Sequence, residues 1–583
     1  MPRAARKNKK ERKKTKGKTM FKKIYEKNMK KINLWLALFS MLFAGMIIVS
    51  RHIFNFEADL STIATVYVTD FHFLDFIAWA CMVPVIYLLT ELAAFLFASL
   101  GTGLFGVERN GRQGIWVLAG SFLFLLLLWF PYLPSYWPGG IYSDTVDSIN
   151  MALGKAGLDN HHPILYTLIW RFMFKVTGAF SGEGEYGGLK LFTVTQTLLL
   201  AFVLSYFIYR GYRWGLRKAF LLFWLLAFAI YPLYPFYGIS MWKDTLFSLT
   251  VFAFSVFLYH TFSGARKSTS RPDADGGKTA DNDGISLTWL ARYCLFTILI
   301  IFLRNNGIYV AAFYSAAITL LCLKQRKAAL RIGAASFTIL LISAVIQGPV
   351  YDRCGYNINK TTESLGIPLQ QTAYIVSTDG IVTQEDEEVL TELMPLERWK
   401  ELYNPIVADT IKFSPEFNRG YLEENGGEFM KTYFHLMLRN PVKAVKGYLL
   451  STMGFWDIFE SSSTAYICNL HFGNVEYFMS DYFDYYLHIS FRNLAEPKNY
   501  LSAALFVWLL LGTVFLCLAK HNKKGLIALM PTLGIWLTIM TAVPVAFSFR
   551  YIYALFLCTP LYLIICTKNF QNPAEDNLPC AAE

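Results

Sequence analysis

Residues 164–178, ILYTLIWRFMFKVTG, decide how many times this chain crosses a membrane. The segment is apolar enough to be read as a span. It is also short, and it carries Arg171 and Lys175 four residues apart on one helical face. Apolar residues 165, 168, 169, 172 and 176 occupy another face. That pattern suits an amphipathic helix lying in the interface rather than one crossing the bilayer. His162-Pro163 opens it, with proline at the first helical position, where a missing N–H costs nothing. Counting the segment as a crossing would move every later loop to the opposite side.

Outward from this helix the chain is a series of apolar runs. Its 583 residues are 54% hydrophobic and 17% aromatic, only 16% are charged, and the mean hydropathy is +0.35. A soluble chain carries about 25% charged residues. A helix needs roughly 20 apolar residues to cross a ~30 Å hydrocarbon core. Spans are expected near 33–50, 74–99, 115–133, 189–209, 219–237, 245–262, 289–303, 307–323, 332–348, 501–518, 526–546 and 552–567. With the amino terminus inside, the basic loops ERNGR (108–112), RGYRWGLRK (210–218), GARKSTSR (264–271), KQRK (324–327) and KHNKK (520–524) all fall in the cytoplasm. Twelve crossings return the carboxyl terminus to the same side.

The expected fold is an all-α polytopic membrane protein with about twelve transmembrane helices and an external, mainly helical domain. Residues 1–32 form a basic cytoplasmic tail. Its first 31 residues hold fifteen Lys and Arg against Glu11 and Glu26, which accounts for the net charge of +12. Beside a span, such a tail reads as a flank drawn to anionic membrane lipid, and no aromatic-basic interleaving points to nucleic acid. Residues 33–348 form a core of about nine spans, with a first large external loop at 134–188. Residues 349–500 form the external domain, 501–567 the last helices and 568–583 a second cytoplasmic tail. Inside the external domain, TQEDEEVLTELMP places Thr383 as an N-cap with acids in the first turn. Residues 263–288 read as a flexible loop. The nine cysteines form no CxxC pair and no zinc spacing, and spacing does not decide whether Cys354 and Cys468 pair.

This topology collects five polar clusters on the outer face: YSDTVDS (142–148), NHHP (160–163), MWKD (241–244), RNNG (304–307) and FSFRY (547–551). Each has a structural reading. Asp144 and Asp147 suit the start of a helix. His161 and His162 fall short of the three or four ligands a metal needs. Lys243 and Asp244 suit an interfacial pair with Trp242 in the aromatic belt, and Arg304 and Arg550 suit snorkelling to headgroups. Ionisable groups at span mouths are nevertheless expensive unless they face a cavity, pair or serve a substrate. A carboxylate beside a hydroxyl acceptor orients it and takes its proton. Arg and Lys at the membrane surface suit a phosphate. Together these parts describe transfer of a group from a lipid-linked phosphate to an external acceptor.

An external loop with an Asp near its start, His-Pro near its end and an interfacial helix after it resembles the GT-C glycosyltransferases. The likeness is to the branch of protein O-mannosyltransferases and the lipid A aminoarabinose transferase. Their loop typically reads Asp-Glu, a helix, then His-Pro-Pro-Leu. Here it reads Asp144-Thr145, VDSINMALGKAG, then His162-Pro163-Ile164-Leu165, so Thr145 and Ile164 depart from the pattern. The chain also resembles an uncharacterised bacterial family of polytopic proteins in PGGIYSDT, NHHPILYT, WKDTLFS, FLRNNG and PLQQTAYIV.

The GT-C resemblance implies a GT-C-like catalytic core and an inverting enzyme. It implies a polyprenyl-phosphate sugar donor and an extracytoplasmic glycan, lipid or protein acceptor. Asp144 would be the catalytic or acceptor-orienting carboxylate. By chemistry and side, Lys243, Arg304 and Arg550 are candidates for the donor phosphate, with Asp147, His161, His162 and Asp244 supporting or on the acceptor side. No cofactor is required by the sequence, and a divalent cation is left open. The competing classes are a transporter or flippase for a lipid-linked or polar substrate, and a non-catalytic assembly protein. Transporters place ionisable groups near the bilayer midplane, whereas these spans are almost free of charge.

Overall fold

The computed structural model describes residues 32–55, 66–106, 109, 111–180, 185–264, 285–357, 360–459, 481–489, 501–542, 545–546 and 548–568. The basic tail, most of the 263–288 loop, Cys468 and residues 569–583 lie outside the described residues. Among those described, seven helices are long and apolar enough to cross a bilayer: Phe73–Gly101, Arg112–Ser135, Tyr186–Arg213, Lys243–Phe262, Arg326–Arg353, Lys523–Ala542 and Phe549–Thr567. An eighth crossing is formed if Lys218–Ile230 and Leu233–Ile239, bent by 51° at Tyr231-Pro232, act as one span. Four further apolar helices, Leu34–Ser50, Leu287–Leu303, Gly307–Leu321 and Ala503–Ala519, have 15 to 17 residues. At 1.5 Å per residue they reach about 22–26 Å, somewhat short of a full hydrocarbon core. The protein is a helical multi-pass membrane protein. Its described strands are a single antiparallel ribbon, Ile53–Asn55 with Val66–Val68.

The surface of the bundle is what lipid requires. Leu88, Leu92 and Leu96 stand exposed at four-residue spacing on one helix, Leu123 and Leu127 on the next, and Phe337 and Leu341 on another. The main core is correspondingly large and rich in buried Tyr, Phe and Trp. Backbone and side-chain contacts gather several of the inter-helix loops at one end. Gly106 N–H donates to Gly215 at 2.9 Å, Arg217 N–H to Leu104 at 2.9 Å and Asn33 Nδ2 to Ala519 at 3.3 Å. The basic segments 210–218 and 520–524 share that end.

The helix Ile164–Phe180 has a further apolar stripe, which packs on protein. Tyr166, Trp170, Met173 and Phe174 are its buried stripe, stacked on Phe192 and sharing a small separate core with Ile141, Ile149, Leu189 and Met241. Leu168 and Phe172, on the apolar face read from the sequence, are exposed at 45% and 61%. The helix therefore has three faces: one on protein, one apolar and open, and one bearing Arg171 and Lys175. A helix in the interface needs all three, because it touches protein, lipid and water at once. Its first turn begins one residue later than expected. Pro163 precedes it and supplies the carbonyl that accepts from Tyr166 N–H at 2.9 Å.

Residues 360–455 fold into helices with their own core, centred on Leu369, Leu390, Trp399, Phe429 and Leu436. Thr383 caps Gln384–Leu393 in a reciprocal box with Asp386. In the PLQQTAYIV stretch, Gln370 Nε2 donates to Asn404 at 2.9 Å and Gln371 Nε2 to Ala444 at 2.7 Å, while Gln371 Oε1 accepts from Tyr433 Oη at 2.6 Å. These buried amides tie the helix Gly366–Ser377 to three neighbouring segments. Tyr448 Oη reaches the Met540 carbonyl at 2.8 Å and Lys446 reaches Asp70 at 2.6 Å, which seats the unit on the helical bundle.

Gly307 shows how tightly the RNNG turn is drawn. A Cβ there would lie 2.0 Å from the Ile300 carbonyl oxygen and 2.8 Å from its carbon, both backbone atoms. Gly120, inside the helix Gly111–Trp129, has open space around it. Gly307→Ala is expected to lower the unfolding midpoint in detergent by several degrees and to cut folded yield. Gly120→Ala should leave the midpoint unchanged or raise it slightly, since alanine favours helix by about 0.5–1 kcal/mol. Thermal melts of the two purified variants beside wild type check this.

Candidate functional site

The loop at 138–163 is held open at its start by backbone pairing. The Trp137-Pro138 peptide bond is cis, and Gly139 follows at φ +133°, a conformation side chains rarely adopt. A Cβ on Gly139 would meet Thr193 Oγ1 at 2.3 Å. Gly140 then pairs with the extended segment after the bent helices: its N–H donates to Ile239 at 2.9 Å, and Met241 N–H donates back to Gly140 at 2.8 Å. Buried side chains aim this second segment. Gln196 Nε2 donates to the Tyr237 and Gly238 carbonyls at 3.0 Å each, and Tyr166 Oη donates to the Met241 carbonyl at 2.6 Å. Thr145, where the GT-C pattern has Glu, donates to that same carbonyl. Trp242 is 8% exposed and stacks on Tyr142 with ring centroids 4.0 Å apart. It is a wall of the site and not part of an aromatic belt.

The helices Ser143–Ala152 and Lys243–Gly264 therefore start side by side. Asp144 lies in the first turn of its helix without capping it, and its Oδ2 takes two cations. Arg550 Nη1 donates to it at 2.8 Å and Lys243 Nζ at 3.3 Å. Lys243 also donates to His162 Nδ1 at 2.8 Å. An ammonium only donates, so His162 carries its proton on Nε2, which faces Asp147 Oδ2 at 3.5 Å. Burial alone would raise the Asp144 carboxyl. Arg550, then Lys243 and His162, override it and hold the group well below the usual carboxylate range. Burial first, then Lys243, pushes His162 down to about 4, with Asp147 and Asp144 opposing.

Lys243 and Asp244 do not pair with each other. One residue apart at a helix start, they point to different partners. Asp244 is fully buried and lies 2.9 Å from Arg304 Nη1. Arg304 in turn stands over the Tyr551 ring at 4.8 Å and the Phe247 ring at 5.6 Å, so it is held among protein groups and does not snorkel. Arg550 lies over the same Tyr551 ring at 5.2 Å and over Trp242 at 5.9 Å. Tyr551 thus spaces two guanidinium groups whose carboxylates differ in access: Asp144 is 29% exposed, Asp244 1%.

The two histidine rings touch, with centroids 4.5 Å apart, but take different further partners. His162 is buried against Lys243. His161 turns outward and its Nδ1 lies 3.7 Å from Glu363. The loop carrying them is clamped by Asn305, whose Nδ2 donates to the Asn160 and His161 carbonyls at 2.6 and 3.1 Å, and by Asn160 N–H donating to Tyr356 at 2.6 Å. Among the described residues no group of three or more His, Cys, Asp or Glu side chains is arranged to hold a metal ion. Of the expected site residues, Asp144, Lys243, Arg550, His162 and Asp147 form one connected cluster. Asp244 and Arg304 form a buried pair beside it, and His161 belongs to the contact with the external helices. Tyr142, Thr145, Tyr166, Gln196 and Trp242 build the site, and none of them was expected to. Their signal is only polar or aromatic character inside apolar sequence.

Fold and cluster together define a multi-pass helical membrane protein with a partly open, charged site where its helix starts converge. Residues 153–577 match the DUF6020 family, a family of unknown function, and the chain belongs to it. The match takes in every residue of the cluster except Asp144 and Asp147, which lie just before it. No curated protein and no solved structure matches the chain.

The buried histidine gives the site a pH signature. His162 titrates at its ordinary 6.5 when unfolded and near 4 when folded. Its folded value is depressed, so its contribution to stability is complete above 6.5 and is lost as pH falls from 6.5 towards 4. Asp144 adds a second loss only below about 3.8. The unfolding midpoint of wild type is expected to fall across the first window, and His162→Gln should flatten that slope. Melting curves at half-unit pH steps check it, and parallel slopes for the two proteins would contradict the burial of a neutral imidazole.

Proposed function

We propose that this protein is a GT-C-like membrane glycosyltransferase that moves a sugar from a polyprenyl-phosphate donor to an extracytoplasmic glycan, lipid or protein. The observation that carries the reading is the Arg550–Asp144–Lys243 cluster, partly open at the ends of apolar helices and next to a three-faced interfacial helix. A substrate with a lipid tail and a phosphate needs both surroundings together.

On this reading the chain crosses twelve times with both termini cytoplasmic, the four shorter apolar helices and the bent pair each being one crossing. The loop 134–188 and the helices of 349–500 are then extracytoplasmic. Arg550 and Lys243 receive the donor phosphate, Arg550 with its fork and Lys243 as a point charge. His162 is a positioning residue that holds the Lys243 ammonium. Asp144 keeps the two cations together before the donor arrives and orients the acceptor hydroxyl once they turn to the phosphate. As charge develops on the departing phosphate, fixed cations in a partly dehydrated site stabilise it with little reorganisation. Arg304, committed to Asp244, sets the position of Tyr551 and through it of Arg550.

The test is transfer itself. Full-length protein in lipid nanodiscs is given a panel of radiolabelled polyprenyl-phosphate sugars and extracted envelope acceptors. Label is expected in an acceptor for at least one donor, with Arg550→Gln and Lys243→Gln each reducing the rate by about 100-fold or more. Movement of intact donor across sealed vesicles with no covalent product would favour a flippase and overturn the reading.

A further inference from the structure

A second basic centre lies at the other end of the bundle, where Trp214 Nε1 donates to His260 Nδ1 at 3.2 Å. His260 is 17 residues along its helix from Lys243, which places it about 25 Å away from that lysine. The helix Glu185–Arg213 ends here with Arg210 and Arg213 in its last turn. Cations at such a position often serve only to settle the helix end. This end is closed by backbone. Trp214 N–H donates to the Arg210 carbonyl at 2.8 Å, Leu216 N–H to Gly211 at 3.0 Å and Gly215 N–H to Tyr212 at 3.0 Å, with Gly215 at φ +78°. The arginine side chains are not needed as caps.

Aromatic rings hold them instead. Residues 206, 209, 210 and 213 share one face of the helix. Arg210 lies 5.9 Å from the Tyr206 ring and 6.0 Å from the Trp214 ring. The Tyr206 and Tyr209 rings are 5.9 Å apart, and Arg213 Nη1 donates to Tyr209 Oη at 3.2 Å. The neighbouring helix Gly111–Trp129 packs closely here, since a Cβ on Gly114 would meet Tyr209 Cε2 at 2.7 Å. It brings Gln113, whose Oε1 accepts from Tyr212 Oη at 2.9 Å. Just before it Arg109 lies 4.7 Å over the Tyr212 ring. Three guanidinium groups from two segments are thus oriented by rings, and no carboxylate pairs with them among the described residues. Among those residues Arg109 Nη1 and Arg210 Nε are enclosed and reach no acceptor. Donors withdrawn from water without an acceptor are costly. Both residues remain partly open, and a planar fork with unused donors matches phosphate oxygens.

What carries the phosphate follows from the same face. One turn towards the middle of the helix, Phe202 is 48% exposed with its ring 6.5 Å from that of Tyr206, and Leu199 follows at 44%. Guanidinium groups, tyrosines and open apolar side chains therefore run in that order down one face, as headgroup, interface and hydrocarbon do in a lipid leaflet. We propose that Arg109, Arg210 and Arg213 bind the phosphate of an anionic phospholipid, whose acyl chains lie along Phe202 and Leu199. On the twelve-crossing topology this lipid sits in the inner leaflet, across the membrane from Asp144. The lipid site stands independently of the transfer reading.

Native mass spectrometry of the full-length protein in detergent tests this, with dioleoyl phosphatidylglycerol and dioleoyl phosphatidylcholine as probes. Wild type is expected to retain the anionic lipid about fivefold or more over the zwitterionic one. Arg210→Gln with Arg213→Gln should lower retention of phosphatidylglycerol about tenfold. Lys523→Gln with Lys524→Gln removes the same charge at the same end and should lower it less than about twofold. Arg210→Lys with Arg213→Lys keeps the charge without the fork and should fall between. Glycerol 3-phosphate, which has the phosphate and no chains, should not displace the lipid. Equal retention of the two lipids by wild type overturns the proposal whatever the variants do. Equal losses in the arginine-to-glutamine and lysine-to-glutamine variants overturn it too, by reducing the site to general surface charge. Displacement by glycerol 3-phosphate overturns the lipid assignment in favour of a soluble phosphate.

Discussion

One carboxylate oxygen joins parts of the chain that are far apart in sequence. Asp144 Oδ2 meets Lys243, 99 residues on, and Arg550, 406 residues on. Removing Asp144 would leave two partly buried cations with no carboxylate between them, whereas removing either cation leaves it paired with the other. The surrounding structure is arranged so that the three can meet. Backbone pairing lays residues 139–141 beside 239–241, which starts two helices together. Gln196 and Tyr166 fix the carbonyls of the second strand-like segment, and an antiparallel bridge between Val407 and Val545 steers the 545–550 approach on which Arg550 lies. The packing of a large apolar bundle thus converges on a small polar centre.

That centre separates structural from functional charge by access to solvent. Asp244 is enclosed and lies 2.9 Å from Arg304, whose charge offsets its own. Lys243 and Arg550 are about as enclosed as Arg304, but the carboxylate that holds them, Asp144, is 29% exposed and can give way to another anion. Tyr551 links the two pairs by lying under both guanidinium groups. Both guanidinium groups are thus oriented by the same ring before a ligand arrives, which is what preorganised stabilisation requires.

Much of this was legible in the sequence, and the gaps have physical causes. Each apolar run expected to span holds a helix, because uncharged residues leave the backbone no better way to satisfy itself in lipid, yet only seven of the described helices are long and apolar enough to cross, and 219–237 is a bent pair. The loop residues Asp144 and His162 and the span-mouth residues Lys243 and Arg550 stood out as charges in apolar surroundings, and they do meet. Which face of 164–180 packs on protein was not legible, since both candidate faces are apolar and only the stacking of Trp170 on Phe192 distinguishes them. Lys243 and Asp244 looked like a pair because sequence shows adjacency and not the divergence of side chains at a helix start. Gln196 gave no signal, because its meaning comes from a backbone segment 41 residues away.

The most direct measurement is a cryo-electron microscopy structure of the full-length protein with a polyprenyl-phosphate sugar bound. The account predicts the phosphate within hydrogen-bond distance of Arg550 and Lys243, the Asp144 carboxylate turned away from them, and the Arg304–Asp244 pair unchanged. A phosphate bound elsewhere, with Asp144 still holding both cations, would contradict it.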